Sequence, residues 1–124
     1  MTIKITLGNY QKDVEKPTDL ATCLEFTLSW GEASDNNVDL LRVCSAALGV
    51  ALDKEALLPK YRPERDKINI YGRKVLGRLL DQKVSSSDIF QSGSAVLQAM
   101  AAAIPQKEEV EEKKDFFHSA EGED

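Results

Sequence analysis

Histidine, cysteine and aromatic residues are scarce in this chain of 124 residues: one histidine, two cysteines, four phenylalanines, three tyrosines and one tryptophan. The single histidine, His118, sits among acidic residues near the C-terminus, where no scaffold orients it as a general base. Cys23 and Cys44 lie 21 positions apart with no CxxC and no histidine nearby, so the spacing carries no zinc or disulfide logic and predicts two buried free thiols. Neither GxGxxG after a strand nor GxxxxGK[ST] occurs, which removes the phosphate-cradling loops. No stretch approaches the roughly 20 apolar residues of a membrane helix. The opening MTIKITLGNY lacks the basic and apolar regions of a secretory signal. The expectation is a protein of the cytoplasm with no catalytic residue, no metal and no cofactor.

What is present is charge, unevenly placed. Charged side chains make up 30 % of the chain and hydrophobic ones 42 %, which suits one small domain. The net charge of −5 is concentrated at the end: residues 106–124 hold eight acids against three lysines. Residues 1–105 are therefore neutral. Within them, residues 60–83 hold eight basic side chains against three acids, so a basic middle faces an acidic tail.

The hydrophobic pattern predicts a small all-α bundle of about four helices behind a short N-terminal strand. Ile3, Ile5 and Leu7 alternate with polar residues at strand period, and Gly8 and Asn9 supply a turn. A lone strand of this length needs another strand, a helix or a second subunit beside it. After Pro17, a cap at Thr18 or Asp19 opens a first helix, with Leu20, Cys23, Leu24, Thr27 and Leu28 along one side and a stop at Gly31. Phe26 and Trp30 are offset from that side, and the threonines keep a strand open as an alternative.

The polar EASDNN is a loop with Asn36 or Asn37 as the next cap. Leu40, Leu41, Cys44, Ala47, Leu48 and Ala51 then mark a second helix over 38–51. Pro59 and Pro63 bracket a charged surface loop. A third helix follows, with Ile68, Tyr71, Gly72, Val75, Leu76, Leu79 and Leu80 on a broad face; Gly72 and Gly77 point to close approach by a neighbouring helix or to tolerated sequence drift. A serine cap among Ser85–Ser87 opens a fourth, on Ile89, Phe90, Gly93, Val96, Leu97, Met100 and Ile104, which Pro105 ends. The helical domain is thus 1–105. Residues 106–124 form an acidic tail with too little apolar surface to fold alone.

Two groups of residues stand out as binding candidates. Phe116 and Phe117, flanked by Asp115, place two large rings in an acidic segment: either a short motif whose rings enter a groove while acids steer toward basic surface, or a continuing helix, with Glu109 and Lys113 paired at i,i+4, whose rings pack back on the body, or an idle tail. Arg62, Arg65, Arg73, Lys74 and Arg78 make up much of the basic middle. They offer either a groove for that motif or, beside Tyr61 and Tyr71, a surface for phosphates and stacked bases. In the second case the acidic tail would gate the basic patch.

Two stretches, RVCSAALGVAL and YGRKVLGRLLDQKVSSSDIFQSGSAVLQAMAAAIP, resemble the small tail-assembly proteins of siphophages and related prophages, over about Leu40 to Pro105. The resemblance implies a mainly helical, chaperone-like protein of the host cytoplasm. Such a protein binds tape-measure or tail-tube subunits during assembly, with no cofactor and no catalysis. It supplies no fixed motif of functional residues. The alternative function is a nucleic-acid-associated or host-directed phage regulator working through residues 60–83.

Overall fold

The computed structural model describes residues 2–17, 19–52 and 68–105. The chain opens with β1 (Thr2–Leu7) and β2 (Tyr10–Glu15), paired antiparallel from Thr2↔Glu15 to Leu7↔Tyr10. Gly8 has φ 65 at the first central position of the two-residue turn, where glycine meets no Cβ penalty. The expectation of a single strand is corrected here to a hairpin. β1 was legible because Ile3, Ile5 and Leu7 alternate inward. β2, with the sequence YQKDVE, buries only Val14 and half-buries Tyr10, too little alternation to read as a strand. With β2 in place, the opening strand needs no outside partner.

The other edge of β1 lies along a helix. Ser92 accepts a hydrogen bond from the Thr6 amide at 3.0 Å and donates one to the Thr6 carbonyl at 2.9 Å. An Asp88 carboxylate oxygen accepts from the Gly8 amide at 2.7 Å. These side chains stand in for a third strand at the Thr6–Gly8 end of the edge.

Four helices follow: α1 (Leu20–Ala33), α2 (Asn37–Ala51), α3 (Ile68–Asp81) and α4 (Ser86–Ala102). Residues 20–33 are helical, which removes the strand alternative, and α1 runs two residues past Gly31. Asp19 occupies its N-cap without capping the backbone; its carboxylate accepts from the Thr22 hydroxyl instead. The Asn36 side chain caps α2 by accepting from the Val38 and Asp39 amides, and Ser85 caps α4 by accepting from the Asp88 amide. α3 ends in a Schellman motif: the Val84 amide reaches the Leu79 carbonyl and the Lys83 amide the Leu80 carbonyl, with Lys83 at φ 62.

α2 lies at the centre, packed against α1, α3 and α4. Seven consecutive residues, Val43 to Gly49, are buried. Small side chains make this possible, because glycines let the helices touch backbone to backbone. A Cβ on Gly72 of α3 would collide with the Arg42 carbonyl oxygen, and one on Gly93 of α4 would lie 2.8 Å from the Cys44 oxygen. Gly77 meets nothing within 4 Å, so close approach holds for Gly72, while Gly77 fits the other reading, a glycine the helix tolerates. Tyr71, Val75, Leu79, Ile89, Val96, Leu97 and Met100 complete the core with Ile5, Phe26 and Leu48.

Candidate functional site

Of the basic residues singled out by the sequence, Arg73, Lys74 and Arg78 are exposed on the outer side of α3. Arg62 and Arg65 lie outside the described residues, as do Tyr61, Asp115, Phe116 and Phe117 and the whole acidic tail. The structure therefore brings three of the eight partner-binding candidates onto one helix. Beside them Ile70 and Leu80 are exposed, which corrects the placement of Leu80 on the inner face. Tyr71 is also corrected as a stacking residue: it is fully buried, its ring packed over Gly49, and presents no face for a base to stack on.

The thiols are buried and unbridged. Burial pushes the Cys23 thiol up from its ordinary value, and the charge of Asp19 adds to this; Cys23 Sγ points at the Pro17 carbonyl, 3.7 Å away. Burial also raises Cys44, with the Ser94 hydroxyl at 4.0 Å opposing the shift. Both sulfurs are held as neutral thiols, poor nucleophiles and poor metal ligands. A half-open cleft of about 130 Å³ lies where α1, α2 and α3 meet, lined by Glu32, Ala33, Asp39, Val43, Ile68 and Asn69. It is smaller than the roughly 300–1,000 Å³ that small-molecule sites occupy. Among the described residues no group of three or more acids, cysteines or histidines could hold a metal ion, and no helix is long and apolar enough to cross a membrane.

The feature that sequence reasoning missed is on α1. Leu20, Leu24, Thr27 and Leu28 were expected inside with Cys23; of these only Cys23 is buried. The helix instead turns Cys23, Phe26 and Ala33 to the core, with Trp30 packed beside them. Leu20, Leu24 and Leu28 are left 46 %, 41 % and 61 % exposed. The physical reason is volume. Phe26 and Trp30 carry more apolar area than any two leucines, so the side of the helix that holds them buries more surface.

The result is a helix that is apolar on two sides. Spaced four apart, the three leucines fall within about 80° of arc and form one continuous ridge. Gly31 extends the same side, with open space above it. α1 carries only two charged residues, Glu25 and Glu32, and both are acidic. From Pro17 to Leu41 there are five acids, Asp19, Glu25, Glu32, Asp35 and Asp39, and no lysine or arginine. Full burial of a leucine contributes about 1.5–3 kcal/mol, so three leucines left roughly half exposed leave about half of that unrealised at each position. The signal was present in the sequence as a surplus: 14 residues with apolar groups on two sides and only two charges exceed what one core-facing stripe requires. No protein-family model, curated protein or solved structure matches the chain.

Proposed function

We propose that this chain is a non-enzymatic, chaperone-like protein that works by protein–protein binding, in the assembly of a phage tail within the host cytoplasm. The observation that carries the binding role is the exposed Leu20–Leu24–Leu28 ridge, an apolar face on a helix whose other side is already packed. The tail-assembly role is supported by the resemblance of the Leu40–Pro105 stretch, with tape-measure or tail-tube proteins as the partners. Phe116 and Phe117 supply a second contact in this reading.

The test is affinity capture from phage-producing cells, comparing the full chain with Leu24→Asp/Leu28→Asp and with Phe116→Ala/Phe117→Ala, and reading captured proteins by mass spectrometry. Tail proteins are expected with the full chain, absent with the leucine variant and reduced with the phenylalanine variant. Capture unaffected by the leucine variant removes α1 from the role.

A second reading rests on Arg73, Lys74 and Arg78, which share the outer side of α3 and could neutralise phosphates. Nuclease-sensitive material captured by the full chain and lost with Arg73→Ala/Arg78→Ala favours a nucleic-acid-associated regulator instead.

A further inference from the structure

We propose that the outer face of α1 docks an amphipathic helix of a partner protein whose apolar strip is edged by lysine and arginine. This rests on the protein-binding reading above and specifies its partner.

The shape of the face selects a helix. Leu20, Leu24 and Leu28 form an i, i+4, i+8 row, the ridge that packs into the matching groove of a second helix. The row spans most of a 14-residue element, about 21 Å long, so it engages about three turns of the partner. Gly31, with nothing above it, allows the partner's backbone to come close at the C-terminal end.

Charge selects the edges. Asp19 stands exposed at one end of the ridge, Asp35 at the other, and Glu32 is exposed on its flank. No lysine or arginine lies between Pro17 and Leu41; Asp39, on α2, is paired with Arg42 at 3.6 Å, and Asp19, Glu32 and Asp35 are the exposed charges that favour cations beside the strip.

The same charges disfavour the acidic tail and a second copy as occupants. Residues 106–124, at −5, bring acids to acids. The α1 face of a second copy would align two identical acidic flanks. The α3 face of a second copy is basic, but Ile70 and Leu80 are ten positions apart, about 15 Å, with Arg73 and Gly77 between them. It offers two isolated side chains rather than a strip.

The experiment titrates the full-length protein, by fluorescence anisotropy, into three labelled synthetic helical peptides. One has a leucine strip edged by lysines, one the same strip edged by glutamates, and one the lysine composition in scrambled order. The lysine-edged peptide is expected to bind at least about tenfold more tightly than either of the others, with affinity falling as salt rises. Leu24→Ala/Leu28→Ala should weaken it about tenfold, with circular dichroism unchanged because both side chains lie outside the core. Glu32→Lys/Asp35→Lys should shift preference toward the glutamate-edged peptide. Equal binding of the ordered and scrambled lysine peptides, equal binding of both edge charges, or no binding at all overturns the proposal. Sedimentation that shows a self-association broken by Leu24→Asp also overturns it, giving the face to a second copy. Leucine-dependent capture of tail proteins without peptide binding would leave the assembly role standing and sink this inference. Peptide binding without capture of tail proteins would do the reverse.

Discussion

Gly72 and Gly77 are five residues apart on one helix and have opposite roles. Gly72 exists because the Arg42 backbone occupies the space its Cβ would need; Gly77 faces open solvent. Gly72→Ala is expected to destabilise the fold by about 1–3 kcal/mol through overpacking. Gly77→Ala should stabilise it by up to about 1 kcal/mol through helix propensity. Urea denaturation of the two variants distinguishes them by sign. Sequence alone leaves both glycines open between close approach and tolerated drift, since the pattern places a glycine on a helix but does not say what lies across from it. The two thiols were read correctly as buried and free, because cysteine on an apolar helix face behaves as a small hydrophobe. Their thiols are raised in the folded state, so the stability they lend is present below the ordinary thiol value and falls as pH climbs through the raised one. Native protein at pH 8 should resist iodoacetamide at both positions and react at both once denatured. Rapid labelling of the native chain would contradict their burial.

At the scale of elements, legibility followed the amount of competing apolar surface. α3 and α4 present one dominant face each, and the predicted residues Ile68, Tyr71, Val75, Leu79, Ile89, Val96, Leu97 and Met100 are buried. α1 has two such faces, and counting leucines chose the wrong one where comparing side-chain volume would have chosen the right one. β2 was lost because a strand with one buried side chain leaves no period to detect. The hairpin is tied to α4 by polar groups, and these too are silent in sequence: Ser92 and Thr6 are 86 positions apart. Ser92→Ala removes both the acceptor for the Thr6 amide and the donor to its carbonyl. The expected cost is about 1–3 kcal/mol. Hydrogen exchange should show the Thr6 amide losing protection while the α2 amides keep theirs. Unchanged protection at Thr6 would mean that Ile5 and Leu7 alone seat the hairpin.

Across the whole molecule, charge is sorted by segment: acidic from Pro17 to Leu41, basic from 60 to 83, acidic again from 106 to 124. The last two blocks were evident from composition. The first became meaningful only once the structure placed a leucine ridge within it, because acids around a buried helix and acids around an exposed one have different consequences. The candidates named from sequence divide accordingly. Arg73, Lys74 and Arg78 are exposed on α3, while the leucine ridge on which the proposed function rests is one that the sequence pattern assigns to the core.

The enclosure of α2 has a consequence for how this protein can change over time. From Val43 to Gly49 no position faces water, and glycines on two neighbouring helices are fitted to its backbone, so substitution there is constrained from several directions at once. Leu20, Leu24 and Leu28 on the outer side of α1 lie outside this core. Leu20, Leu24, Leu28, Glu32 and Asp35 can be exchanged while the inner scaffold stays as it is. In the proposed reading, recognition and folding are written in separate residues, and a lineage could acquire a new partner by rewriting side chains on and just after a helix that continues to fold as before.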